Sequence, residues 1–242
     1  MNTFLILIFL FFIGSSFGWC LETLFRRFCK SNTSRKWINP GLLTGPYIPI
    51  YGFGLCTLYL LAELEFILPI HSLVLQKIII IICMAIAMTL LELIAGLIFV
   101  KGMNLKLWDY SDKPLNFMGI ICPEFTFYWF VLAMIYYFLI HPKILYALEW
   151  FASNLAFSFV LGMFFGVITI DIFYSLNLAA KIRRFASENN ISVYYDELKT
   201  SIRKHAEERA EKYRFLFAFR SKLSLHEHLK NYLKNIKNKK NS

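Results

Sequence analysis

Long runs of apolar residues with almost no charge alternate along the chain with short stretches that are basic or rich in proline and glycine. The runs fall at 3–25, 46–68, 78–100, 115–140 and 148–176, each about the length a helix needs to cross some 30 Å of hydrocarbon at 1.5 Å per residue. Inside lipid a chain must close its own backbone hydrogen bonds, so such runs predict helices and not open strands. From residue 177 the pattern changes, with charges and apolar residues alternating at helical spacing. The pattern therefore predicts an all-α fold: a polytopic transmembrane helical bundle of about five spans over 1–176, followed by a helical tail over 177–242.

Local signals sharpen individual elements. In the tail, Ser224-Leu225-His226-Glu227 fits a capping box ahead of Leu225, Leu229, Leu233 and Ile236, which predicts a short basic amphipathic helix. Its apolar stripe suits a membrane surface, a partner, or the chain's own loops. Within the spans, Gly14, Gly18 and Glu22 share one face, as do Ala85, Thr89, Glu92 and Gly96. A third stripe joins Asn154, Ser158, Gly162 and Gly166, with Asp171 at its edge. Small residues at this spacing predict close helix contacts and turn Glu22 and Glu92 inward.

Composition supports the membrane class, at 57% hydrophobic and 17% charged residues. The net charge of +10 is not spread evenly: 1–176 hold 10 Lys and Arg against 9 Asp and Glu, while the tail holds 16 against 7. A basic segment after a final span marks the cytoplasmic face and anionic lipid, so nucleic acid is set aside as a partner. Arg26, Arg27, Lys30, Arg35 and Lys36 in the first loop, and Lys101, Lys106 and Lys113 in the third, lie on the tail's side; Lys77 and Lys143 lie opposite. That bias predicts a multi-pass protein of the cell membrane with its N-terminus outside and C-terminus cytoplasmic. The apolar N-terminus lacks a basic leader, and Trp19 before Cys20 does not suit lipoprotein cleavage, so an uncleaved first span is expected. Cys20, Cys29, Cys56, Cys83 and Cys122 show no C-x-x-C spacing and read as small core residues. His226 and His228, two apart on a helix, do not share a face. No metal, cofactor or catalytic residue is expected.

Polar residues gather in and beside the spans. Glu22, Glu92, Glu124 and Asp171 lie toward the cytoplasmic half in this topology, where a charge at bilayer depth costs about 2.5 to 3.5 kcal/mol on insertion scales. Two irregular segments lie on the same side. Residues 39–54 carry three of the seven prolines and four of the eleven glycines, so they cannot begin as a regular helix. Trp108-Asp109-Tyr110-Ser111, followed by Asn116, Gly119 and Pro123, forms the second, with Trp108 and Tyr110 suited to anchoring at the interface. Pro123 suits the first turn of a helix and would set Glu124 at its positive end. Non-helical backbone at this depth needs protein or a watery cavity around it. A cytoplasm-facing polar vestibule follows as the expectation, with Glu22, Glu92, Glu124 and Asp171 inside and Asn39, Tyr51, Trp108, Asp109 and Asn116 shaping it.

The pattern N-x-G-x-L-x-G-P-x-x-P-I-Y-G over 39–52, W-D-Y-S over 108–111, N-x-x-G over 116–119, and Trp19 with Glu22 together resemble the CmpB-like family of bacterial membrane proteins. That family is labelled as ABC-transporter type IV permeases, and the resemblance covers roughly 10–142. It implies transport of a small solute or lipid. No G-x-x-x-x-G-K-[ST] occurs, so ATP-driven transport would need a separate ATPase subunit. The residues also leave open a membrane-embedded enzyme acting on a lipid or lipid-linked phosphate, with Glu22, Glu92, Asp109 and Glu124 as acid–base or cation-binding groups. A scaffold that recruits a partner through its basic tail is the third alternative. The lipid bilayer is a partner in all of them, and self-association into a homo-oligomer stays open.

Overall fold

In the computed structural model the described residues are 2–28, 35, 37–189, 191–208 and 224–240. Cys29, Lys30 and Lys36 lie outside them, as does the side chain of Ile236. The described residues are mostly helical. Its helices are α1 (Thr3–Phe28), α2 (Pro49–Ala62), α3 (Leu73–Gly96), α4 (Pro123–Ile135), α5 (His141–Ser153), α6 (Ser158–Glu188), α7 (Tyr195–Glu208) and α8 (Leu225–Lys240). Two strands of two residues each, β1 (Leu105–Lys106) and β2 (Val193–Tyr194), pair in parallel with Leu105 opposite Val193.

Among the described residues four helical stretches are long and apolar enough to cross a membrane: Thr3–Phe28, Leu73–Gly102, Pro123–Ser153 and Leu155–Glu188. They bear out a polytopic helical bundle. The apolar run at 46–68 accounts for the difference from about five. Ile48 is extended and Pro49 opens α2, so the helix starts late; after 14 residues it tightens into a 3-10 turn over Glu63–Phe66. The third stretch is α4 and α5 joined by a π-helical turn over Tyr136–Ile140, and a second π-helical turn, Leu97–Gly102, follows α3.

The start and stop signals act locally as their chemistry requires. Cys122 is extended and Pro123 opens α4, because proline's missing N–H costs nothing in a first turn. Ser72 caps α3 by accepting from the Leu75 amide at 3.4 Å. The capping box of α8 is formed: Glu227 N donates to Ser224 Oγ at 3.3 Å, and Ser224 N donates to Glu227 Oε2 at 2.9 Å. One expectation fails at Asn154, whose backbone leaves the helix and whose side chain donates to the Trp150 carbonyl at 2.8 Å. The apolar run at 148–176 is thus broken between α5 and α6, and Asn154 does not continue a stripe with Ser158, Gly162 and Gly166.

The chain divides into two compact units. The first comprises Met1–Trp19, Tyr47–Leu97 and Asp109–Thr169. Its core packs Phe9 and Leu10 of α1 with Tyr59, Met84, Tyr136 and Phe151, Phe9 and Phe151 stacking at 4.5 Å. Here the glycines of α1 do what their spacing predicts. A Cβ on Gly18 would lie 2.3 Å from the Tyr51 ring, and one on Gly14 would lie 2.8 Å from the Tyr51 carbonyl, so α1 and α2 touch backbone to backbone. Gly96 of α3 likewise faces Ile120, 2.1 Å from where its Cβ would be. Gly162 and Gly166 differ: nothing lies within 4 Å of either position.

The second unit comprises Cys20–Pro46, Ile98–Trp108 and Ile170–Ser242. Leu178, Ile182 and Phe185 of α6 pack with Leu105 and Val193 of the strands, Tyr195, Leu198 and Ile202 of α7, and Leu229 and Tyr232 of α8. The apolar stripe of α8 therefore covers the chain's own core, with Leu229 buried and Leu225 and Leu233 against it. Lys106 lies over the Tyr194 ring at 5.3 Å, and the Tyr232 hydroxyl accepts the Tyr194 amide at 3.2 Å.

Candidate functional site

The residues singled out by sequence divide between the two units. Tyr51, Glu92, Asp109, Asn116 and Glu124 belong to the first, and Glu22, Asn39, Trp108 and Asp171 to the second.

In the first unit the focus is Glu92. It lies on the α3 face that also carries Ala85, Thr89 and Gly96, and it is 6% exposed. Thr89 Oγ1 approaches Thr126 Oγ1 of α4 at 3.3 Å, so this face packs on α4. One carboxylate oxygen accepts from Tyr110 Oη at 2.9 Å, the other from Trp129 Nε1 at 2.9 Å. Tyr110 is held in turn by stacking on Phe125 at 4.1 Å. Burial, then the Glu92 charge, push its phenol well above the usual range, so it keeps its proton. Sequence placed Tyr110 at the interface as an anchor; the structure turns it onto Glu92.

The loop carrying Tyr110 explains most of the remaining motif. Asp109 Oδ1 accepts from Ser111 N at 3.1 Å and Ser111 Oγ at 2.5 Å, forming an Asx turn. Asn116 Nδ2 donates to the Lys113 carbonyl at 2.8 Å and its Oδ1 accepts the Gly119 amide at 3.0 Å. Gly119 has φ +68, and a Cβ there would meet Ser111 Oγ at 2.5 Å. The Tyr110 amide closes the loop on the Gly119 carbonyl at 2.8 Å. Asp109, Asn116 and Gly119 thus shape the backbone that presents Tyr110. Glu124 is exposed at the start of α4, paired with Lys113 Nζ at 3.0 Å, and does not turn inward. Tyr51 packs its ring on Gly18.

In the second unit the loop over 39–46 is held from both sides. Asp171 of α6 is 7% exposed and its oxygens accept from, among others, Thr44 N at 3.0 and 3.1 Å, Thr44 Oγ1 at 2.7 Å, Gly45 N at 2.8 Å and Ser175 Oγ at 3.0 Å. Asn39 Nδ2 donates back to the Leu43 and Thr44 carbonyls at 3.3 and 2.9 Å. Lys199 of α7, which nothing in the sequence distinguishes from the other tail lysines, donates to the Asn39 and Gly41 carbonyls at 2.8 and 2.7 Å. It lies over the Tyr195 ring at 4.5 Å. Burial, with the Arg26 charge adding to it, lowers the Lys199 ammonium to about 7. Glu22 is half-buried and paired with Arg26 at 2.8 Å, and Arg26 also bonds Asp196. Trp108 is half-buried.

A further polar group in the first unit lay outside the residues singled out. Tyr137 Oη bonds Glu65, Tyr136 Oη meets His141 Nδ1 at 3.2 Å, and the buried Gln76 donates to the Glu65 carbonyl at 2.6 Å. Its only sequence signal was Glu63 and Glu65 at the end of an apolar run. Among the described residues no group of three or more His, Cys, Asp or Glu side chains is arranged to hold a metal.

Several apolar helices of spanning length define a polytopic α-helical membrane protein. Within that class the chain belongs to the family described as "Putative ABC-transporter type IV", whose model matches residues 9–176. The match takes in both motif-bearing loops and extends beyond the resemblance seen in the motifs to most of α6. No curated protein and no solved structure matches the chain.

Proposed function

We propose that the chain is the membrane-spanning, permease-type component of a transporter for a small solute or lipid, working with a separate ATPase subunit. The observation that carries this reading is Glu92, an acid inside a span that is bonded only by the neutral donors Tyr110 and Trp129 among the described residues. Such a group is expensive to keep in lipid unless it serves transport or proton movement. Family membership agrees with the transporter class. In this proposal α2 with its 3-10 extension makes a fifth, short crossing beside the four long ones, so the N-terminus is outside and the basic tail cytoplasmic, and Glu92, with Tyr51 and the 109–119 loop, faces a cytoplasmic vestibule.

The test is purification of the tagged chain in mild detergent, identification of any co-purifying ATPase, and reconstitution of the pair in vesicles. The expected result is ATP-dependent flux that E92Q lowers at least tenfold while the pair still co-purifies. A reconstituted chain that recruits no ATPase and supports no flux would overturn the proposal.

A further inference from the structure

The two oxygens of the Glu92 carboxyl group have unlike partners. An indole N–H can only donate, so the oxygen facing Trp129 Nε1, Oε2, is an acceptor in every protonation state. Oε1 faces a phenol, which can donate or accept. The groups around the pair are Tyr110 itself, Cys122 ahead of α4 and Tyr51 of α2, both within electrostatic reach of the Tyr110 hydroxyl. Lys113 and Glu124 are paired with each other. Among the described residues no Lys, Arg or His bonds to Glu92, and the lysine of α3, Lys77, stands near the helix's other end beside Tyr137. A carboxylate buried at this depth without a cation needs another source of charge balance.

We propose that Glu92 is a proton-binding site, that the proton resides on Oε1, and that Tyr110 relays it. When the proton is bound, the Glu92 O–H donates to Tyr110 Oη and the phenolic O–H donates to a water molecule. On release the phenol gives its own proton to that water as it takes the Glu92 proton, leaving hydronium, the Glu92 carboxylate and an intact phenol that turns back to donate to Oε1. Trp129 is a positioning residue: it keeps Oε2 as the acceptor and so fixes which oxygen exchanges. Asp109, Ser111, Asn116 and Gly119 hold the loop that aims Tyr110. The inference rests on the reading of Glu92 as the site's central acid, and it adds proton exchange to it.

Infrared difference spectroscopy of the full chain in phosphatidylcholine vesicles reads the proton directly and needs no substrate. A failed flux assay therefore leaves this result standing. The expected spectrum near neutral pH contains a carboxylic-acid C=O band that E92Q removes. In W129F the band moves to higher frequency, since the carbonyl oxygen loses its donor. In Y110F it persists but exchanges at least tenfold more slowly in D2O. If E92Q does not fold, the W129F shift identifies the band. Carboxylate bands alone between about pH 5 and pH 8, with no acid band sensitive to E92Q or W129F, would overturn the site. Unchanged exchange in Y110F would overturn the relay.

Discussion

Replacing Asp171 with alanine separates a binding role for this residue from a structural one. Among the donors its carboxylate faces, two are hydroxyls that can rotate to other acceptors and two are the backbone amides of Thr44 and Gly45, which cannot. A buried N–H left without a partner costs about 1 to 3 kcal/mol, so D171A should destabilise by roughly 4 kcal/mol. For a chain of this size that is a fall of about 8 to 16 °C in the unfolding midpoint. The measurement is thermal unfolding in detergent followed by size-exclusion chromatography. D171N should recover only part of the loss, because its amide nitrogen must face one of the donors. A midpoint within about 3 °C of the wild type, combined with lost flux, would refute the argument and return Asp171 to the vestibule.

Other perturbations follow from the same contacts. Gly18→Val places side-chain atoms where the Tyr51 ring now sits and should cost about 1 to 3 kcal/mol or more in folded yield, with Y51A in the same chain restoring part of it. Lys199 titrates near 7 in the folded chain against an ordinary 10.5, so between those values the unfolded chain holds a proton that the folded chain lacks. Stability should therefore rise with pH across that window, by up to about 1.4 kcal/mol per unit, and level off below it; K199M should abolish the slope in denaturation curves taken at several pH values. Ser224→Ala removes the acceptor for the Glu227 amide and should weaken the start of α8 by about 1 kcal/mol, read as faster amide exchange in its first turn.

What the sequence made legible were features whose cause is local. Gly14 and Gly18 announced a close helix contact because four-residue spacing alone puts them on one face, and the capping box at Ser224 needs only its own four residues. Glu92 was legible as inward-facing for the same reason. The partners of these groups were not. Trp129 and Tyr110 reach Glu92 across 37 and 18 residues, and as sequence they look like any interfacial aromatics. Asp171 looked like a site because an acid near a span end is unusual, yet Thr44 and Gly45, which donate to it, belong to a loop more than a hundred residues away. Lys199 had no signal at all: one lysine in a tail rich in them is marked only by the carbonyls it meets. Hydropathy does not show the break at Asn154, because it does not register a side chain bonding its own preceding turn.

The loop over 39–46 has its amides bound by Asp171 and its carbonyls by Lys199, residues that leave the ribosome some 126 to 160 positions later. Asn39 can hold the Leu43 and Thr44 carbonyls early, but the Thr44 and Gly45 amides and the Asn39 and Gly41 carbonyls must wait until α6 and α7 have been made. Insertion of the first helices is therefore not the end of assembly. A chain stopped short of α7 would carry its spans yet leave this loop unlatched, an incomplete state open to proteolysis during synthesis.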